Sequence, residues 1–203
     1  MIEIKVLPDE ENYHIYDFFP EEEIERMEKE EEKDPNAWLR NPLYSQPFLQ
    51  IGNKKLCKRM FNDFGYGPLS SEPLYVHSWT ITQDERYVVI CATVCVMQGG
   101  VIIIWDVVKE AIIDIKEGDY CFCAALYKGY LYRYIHVQNY ICNDGPYIEK
   151  TKFDEEDWDD TGLRIPAEDE NLDCISMETR DDGLYLRYQN YDTKEFKNLH
   201  IAQ

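Results

Sequence analysis

Residues 87–108 read YVVICATVCVM, QGG, VIIIWDVV: a β-branched run from Tyr87 to Met97, a glycine turn at Gln98–Gly100, and a second run from Val101 to Val108. No other stretch of the chain is as dense in apolar residues. Valine, isoleucine and aromatic side chains fit a pleated surface, and two such runs bounded by turn residues pair as antiparallel strands. The reading extends in both directions. LYVHSWTIT (74–82) precedes the pair across a polar turn at Gln83–Arg86, and AIIDI (111–115) follows after Lys109 and Glu110, so four strands run as a meander.

A second group follows: YCFCAALY (120–127), a turn at Lys128–Gly129, YLYRYIHVQNYIC (130–142), and Pro146–Phe153. A third holds LDCISMET (172–179), the turn RDDG (180–183), LYLRYQNYDT (184–193) and EFKNLHI (195–201). One hairpin recurs through all three, its turn ending just before Tyr87, Tyr130 and Leu184, at spacings of 43 and 54 residues. Repeats of this period suggest blade-like sheets. GGVIIIWDVVKEAIIDI resembles the outer half of a WD-repeat blade: a glycine turn, an apolar strand ending in Trp105 and Asp106, a short turn and another strand. The resemblance spans about forty residues. The chain departs from the WD pattern at His77, which follows Val76 where that pattern has glycine, and three blades are too few to close a ring. The expectation is one twisted multistranded antiparallel sheet, curled or paired with a second sheet, and not a propeller.

Before this β-rich part, Met1–Leu7 alternates Ile2, Ile4 and Val6 with polar neighbours, as a short half-buried strand does. The aromatics Tyr13, Tyr16, Phe18 and Phe19 in the following acidic segment need somewhere to dock. Pro20 then opens EEEIERMEKEEEKD, a helix with acids at its positive end, pairs Glu22–Arg26 and Glu25–Lys29, and only Ile24 and Met27 as its apolar face. Asn36–Gly52 reads as a proline-punctuated connector anchored by Trp38, Leu39, Leu43, Tyr44, Phe48 and Leu49. A second helix is expected between the cap Asn53 and the stop Gly65, with Leu56, Cys57, Met60, Phe61 and Phe64 on one face and Lys54, Lys55, Lys58 and Arg59 on the other. The expected class is α+β: predominantly antiparallel β, in a meander or blade-like hairpins, with N-terminal helices. It is read as a single domain over 1–203, with a strand and helical part at 1–72 and an antiparallel β part at 73–203.

The net charge of −19 is concentrated in two places. Asp9–Asp34 holds thirteen acids against three bases and Asp154–Asp173 ten against one, while the rest of the chain carries seventeen of each sign. Such acidity repels phosphates, which argues against direct nucleic-acid binding and permits a basic protein partner. No apolar run approaches the roughly eighteen residues of a membrane span, and the N-terminus lacks a basic and apolar leader, so the expected location is cytoplasmic. The seven cysteines fit buried free thiols in a reducing compartment. Cys121 and Cys123, two apart in a strand, should face the same way, with His136 the nearest histidine for a metal.

Asp157, Asp159, Thr161, Gly162 and Glu168 fall at positions 1, 3, 5, 6 and 12 of a calcium-loop template. Their flanks lack helical faces, and Arg164 and Pro166 stand where the loop's pairing strand and exiting helix would form, so a solvated acidic loop anchored by Trp158 is the favoured reading. No metal or cofactor is assigned. The forty acids guarantee carboxylate pairs by abundance alone, and no GxSxG, HExxH, phosphate loop or GxGxxG is present, so a non-enzymatic role is expected. Tyr130, Tyr132 and Tyr134 alternate along one strand and Tyr185, Tyr188 and Tyr191 line another, forming rows that suit either an interface or a half-buried sheet face. The size, acidity and lack of motifs resemble bacterial immunity proteins that neutralise polymorphic toxins. That likeness implies an inhibitor of a basic toxin domain. The residues chosen for partner binding are Glu155, Asp157, Trp158, Asp159 and Asp160, with Glu22, Glu25 and Glu28 behind them. The alternatives are a DNA-mimic inhibitor of a nucleic-acid-binding protein and a calcium-dependent binding module.

Overall fold

A computed structural model of the chain describes residues 2–7, 20–34, 37, 42–65, 74–93, 100–118, 120–136, 146–165, 172–190 and 192–203. The chain divides into two compact units, Met1–Val76 and His77–Gln203. The docking of Tyr13, Tyr16, Phe18 and Phe19, the anchors Trp38 and Leu39, and the glycine turn at 98–99 lie outside the described residues.

In the first unit, β1 (Ile4–Val6), β2 (Pro47–Ile51) and β3 (Lys54–Cys57) form an antiparallel sheet in that order. The helix α1 (Glu21–Glu31) starts with three glutamates and buries Ile24 and Met27, the face its sequence marks. Lys29 pairs with Glu25 at 3.2 Å as expected, whereas Arg26 pairs with Glu23 at 3.2 Å and not with Glu22. The second expected helix is not an α-helix. Its first half is β3, and Lys58–Phe64 is a 3-10 helix that ends, as expected, at Gly65 in a left-handed conformation (φ 77°). The competing signal is Gly52–Asn53, a two-residue hairpin turn with Gly52 at φ 56°, which pairs Lys54 with Ile51 and takes the preceding connector into β2. Leu56 is buried while Lys54 and Lys55 remain exposed, so strand pairing overrides the helical period. The class is therefore predominantly antiparallel β, with a single described α-helix.

The second unit is built from three antiparallel meanders. The first is β4 (Tyr75–Ile81), β5 (Tyr87–Thr93), β6 (Gly100–Asp106) and β7 (Ala111–Glu117). The second is β8 (Cys121–Tyr127), β9 (Tyr130–Ile135), β10 (Tyr147–Lys152) and β11 (Asp159–Arg164). The third is β12 (Leu172–Arg180), β13 (Gly183–Asn190) and β14 (Phe196–Ala202). Where the sequence suggests one twisted sheet, curled or paired with a second, these strands form three separate sheets. The first ends where Gly118 approaches Val101 so closely that a β-carbon there would lie 2.8 Å from the Val101 carbonyl carbon. Tyr120 then takes φ 59°, and the chain leaves the edge at β7. β8 packs across β5 and β6 instead of extending their ladder.

The middle sheet is covered on both faces. Cys121, Ala124, Leu131 and Ile135 meet Val89, Cys91, Ile102 and Ile104 of the first sheet. Cys123, Ala125, Tyr132, Tyr134 and Ile148 meet Met177, Leu184, Leu186 and Tyr188 of the third. In β5 and β6 the opposite face, with Val88, Ile90, Ile103 and Trp105, is buried as well. A strand buried on both faces needs no polar alternation, which is why the stretch at 87–108 reads as unbroken apolar runs.

The first strands of the three meanders lie together. Ser78 on β4 donates to the Phe122 carbonyl on β8 at 2.8 Å, Thr80 on β4 donates to the Met177 carbonyl on β12 at 3.3 Å, and β12 packs along β8. At the Trp105–Asp106 pair that carries the WD resemblance, Trp105 is buried and Asp106 Oδ1 accepts the Val108 and Lys109 amides, both at 2.9 Å. Those bonds, the Lys109 amide first, hold the Asp106 carboxyl below its usual range. Asp106 therefore shapes the turn between β6 and β7.

Candidate functional site

The residues chosen for partner binding fall on both units. Glu22, Glu25 and Glu28 are exposed on α1 of the first unit, with Glu25 engaged by Lys29. Glu155, Asp157, Trp158, Asp159 and Asp160 belong to the second unit, in the link after β10 and the start of β11. The expected acidic loop is in part a strand: β11 pairs with β10 through Asp159 opposite Lys150 and Asp160 opposite Glu149.

Internal bonds hold this acidic strip. The Glu155 carbonyl accepts from Lys116 Nζ at 2.9 Å and Thr151 Oγ1 at 3.2 Å, and the Glu155 carboxylate pairs with Lys152 at 2.6 Å. Trp158 is half-buried against the core between the first and middle sheets, its ring 3.8 Å from the Arg133 guanidinium. Arg133 is fixed in turn by Glu149 at 2.6 Å and the Glu117 carbonyl at 2.8 Å. Trp158 is thus an anchor for its own chain. Arg164 donates from both terminal nitrogens to Asp160, at 2.8 and 2.6 Å, and the Gly162 amide adds a third bond. The guanidinium first and that amide second push the Asp160 carboxyl down to about 2. Asp157 and Asp159 are exposed and make no ion pair among the described residues.

The calcium-loop template does not form over its described positions. Asp159, Thr161 and Gly162 lie in a strand, the Thr161 hydroxyl donates to the Ile148 carbonyl at 2.7 Å, and Glu168 lies outside the described residues. Among the described residues no three His, Cys, Asp or Glu side chains gather where a metal ion could sit. The described cysteines Cys57, Cys91, Cys121 and Cys123 are free thiols. Cys121 and Cys123 do not face the same way. A bulge between them sends Cys121 toward the first sheet, 3.7 Å from the Cys91 sulfur, and Cys123 toward the third. Burial raises the thiol pKa values of Cys91 and Cys123 well above the usual range. His136, the nearest candidate ligand, exchanges a hydrogen bond with the Tyr134 hydroxyl at 3.0 Å and packs on Phe122, and burial lowers its pKa.

The tyrosine row of β9 belongs to the interior. Tyr132 and Tyr134 are buried against the third sheet with Tyr188, while Tyr185 points to the other face of β13 and stacks on His200 at 4.8 Å. Tyr191 lies outside the described residues.

A second surface is formed by residues with no motif of their own. Because the first strands of the meanders lie together, the turns that follow them converge: Thr82–Arg86, Lys128–Gly129, and Arg180–Asp182. They enclose a cleft of about 710 Å³, walled by Tyr87, Leu126, Tyr127 and Phe153 and rimmed by Gln83, Asp84, Lys128 and Asp181. The Tyr87 and Phe153 rings lie 6.0 Å apart and tilted by 37°. Gln83 donates to Asp181 Oδ1 at 3.4 Å and so bridges the first turn to the third. Asp84 Oδ1 accepts from the Thr82 hydroxyl at 2.6 Å and the Arg86 amide at 3.1 Å, and these two bonds, the hydroxyl first, hold its carboxyl below the usual range. Lys128, at φ 49°, carries its ammonium 5.4 Å from the Tyr127 ring centre. The signal for this cleft was present in the sequence as the recurring hairpin, whose three turns are the cleft's rim.

No family model matches the chain, and no curated protein matches it either.

Proposed function

We propose that this protein is a non-enzymatic inhibitor that binds a basic protein, in the manner of an immunity protein covering a cognate toxin domain. The observation that carries this reading is the strip from Glu155 to Asp159. Exposed carboxylates at Glu155, Glu156, Asp157 and Asp159 flank a half-buried Trp158 that Arg133 holds in place. A fixed array of like charge on a chain of net charge −19 accelerates encounter with a basic surface and fixes its orientation. The dissociation rate is then set by desolvated anchors in the contact.

The test is capture from a lysate of the native organism with the full chain as bait, eluting at moderate and then high salt. A basic protein should leave in the high-salt step. Charge reversal at Asp157 and Asp159 together, which leaves the Asp160–Arg164 pair intact, should weaken that complex by about tenfold or more with little change in melting temperature. Equal affinity for the wild type and the reversed variant would overturn the assignment of the strip. Displacement of the captured protein by duplex DNA would identify the mimicry of nucleic acid as the mode of inhibition.

A further inference from the structure

We propose that the cleft at the convergence of the three hairpin turns receives an arginine side chain of the basic partner. This inference rests on the inhibitor reading above and names the chemistry of a second contact, contributed by residues other than the acidic strip.

Size comes first. A cleft of about 710 Å³ is in the range of small-ligand pockets and can hold a long side chain with its flanking backbone. Its walls are the tilted Tyr87 and Phe153 rings, Tyr127 and the aliphatic Leu126. Flat apolar walls suit the stem and the planar head of arginine, and aromatic faces attract cations through their quadrupole.

The rim supplies the matching charge. Both bonds that Asp84 accepts end on Oδ1, and the bond from Gln83 to Asp181 also ends on Oδ1. The Oδ2 atoms of both carboxylates thus accept no described hydrogen bond, one on the first turn and one on the third. A guanidinium presents several donors in a rigid fork and can serve two carboxylates at once.

The cleft also shows where a cation rests. Lys128 holds its ammonium over Tyr127 and the Arg86 guanidinium lies 5.0 Å from the Tyr87 ring centre, so these rings already attract positive charge within the chain. Lys128 is exposed and can swing away, and a guanidinium stacks on an aromatic face better than a strongly hydrated ammonium. Lys128 is accordingly a competitor for the incoming arginine. Its removal should strengthen binding, which is the opposite of what an anion site would show.

The test uses the full-length, isotope-labelled protein and three capped tripeptides, Gly-Arg-Gly, its uncharged citrulline counterpart and Gly-Glu-Gly, followed by amide NMR shifts. The arginine peptide should produce saturable shifts at Asp84, Lys128, Gly129 and Asp181, with the citrulline peptide weaker by about tenfold. The double variant Asp84→Asn with Asp181→Asn should lose about tenfold in affinity with at most a small drop in melting temperature, and Lys128→Met should gain about threefold. Equal binding of the arginine and citrulline peptides would overturn the proposal. So would preferential binding of the glutamate peptide that Lys128→Met abolishes, or arginine-induced shifts confined to Asp157 and Asp159. The two readings fail separately. A captured basic partner that is lost on reversing Asp157 and Asp159 but retained by the Asp84/Asp181 variant removes the cleft alone; an arginine peptide that fills the cleft with no partner captured removes the inhibitor reading alone.

Discussion

At the scale of single residues, the acidic strip separates into carboxylates committed to the fold and carboxylates presented outward, a distinction that composition does not contain. Asp160 is committed. With its carboxyl pushed down to about 2, it favours the folded state at pH values above the ordinary aspartate range, and that contribution disappears as the pH falls from about 4 towards 2. Solvent screens the exposed pair, so the effect should appear in the titration of the residue more than in melting. Carbon-detected NMR should place the Asp160 midpoint near 2, and Arg164→Ala should raise it part of the way towards 3.8, the Gly162 amide bond remaining. A wild-type midpoint already near 3.8 would show that the Arg164 contact does not persist in solution. The same scale shows what strand alternation misses. Cys121 and Cys123 obey the period of two only where the ladder is regular, and the bulge between them reverses one side chain. Tyr132 and Tyr134 alternate as expected, but whether their face meets solvent or another sheet depends on residues more than forty positions away.

At the scale of elements, turn chemistry was the most legible signal and the source of the clearest error. Gly65, Lys128–Gly129 and the RDDG turn stand where their residue types place them, because left-handed backbone conformations select glycine locally. Gly52–Asn53 carries a turn signal of the same kind, and the helical spacing of Leu56, Phe61 and Phe64 concealed it. β11 was hidden for a related reason: DDTGLR has few apolar residues, and its pairing is supplied by β10 at the sheet edge. The Lys128–Gly129 turn has positive φ at both residues, the type I′ geometry of two-residue hairpins, in which asparagine is favoured at the first position and lysine is strained. Lys128→Asn should therefore raise stability by about 1 kcal/mol in urea unfolding. A loss of stability would mean that the lysine's contact with Tyr127 outweighs the backbone strain.

At the scale of the whole molecule, the net charge of −19 sets a condition that single contacts do not. Two acidic segments on an otherwise balanced chain repel themselves in the compact state, and salt screens that repulsion over about 10 Å at 0.1 M. The melting temperature should therefore rise by a few degrees between low and physiological salt, corresponding to about 1 kcal/mol. A melting temperature that falls with salt would mean that net attractive ion pairs such as Arg133–Glu149 dominate. By itself the sequence determined the strands of the second unit other than β11, most of their turns, the apolar face of α1 and the acidity of the chain. All of these follow from interactions between residues a few positions apart, and from counting charge. The tertiary structure alone decided that the strands divide into three sheets, the first ending at Gly118, that the tyrosine row is core, that Trp158 is held by Arg133, and that three turns spaced 43 and 54 residues apart rim one cleft. Those outcomes depend on which apolar faces meet. Hydrophobic burial drives the meeting but has no direction, and the partners of each face are therefore written across the whole chain and not along any segment of it.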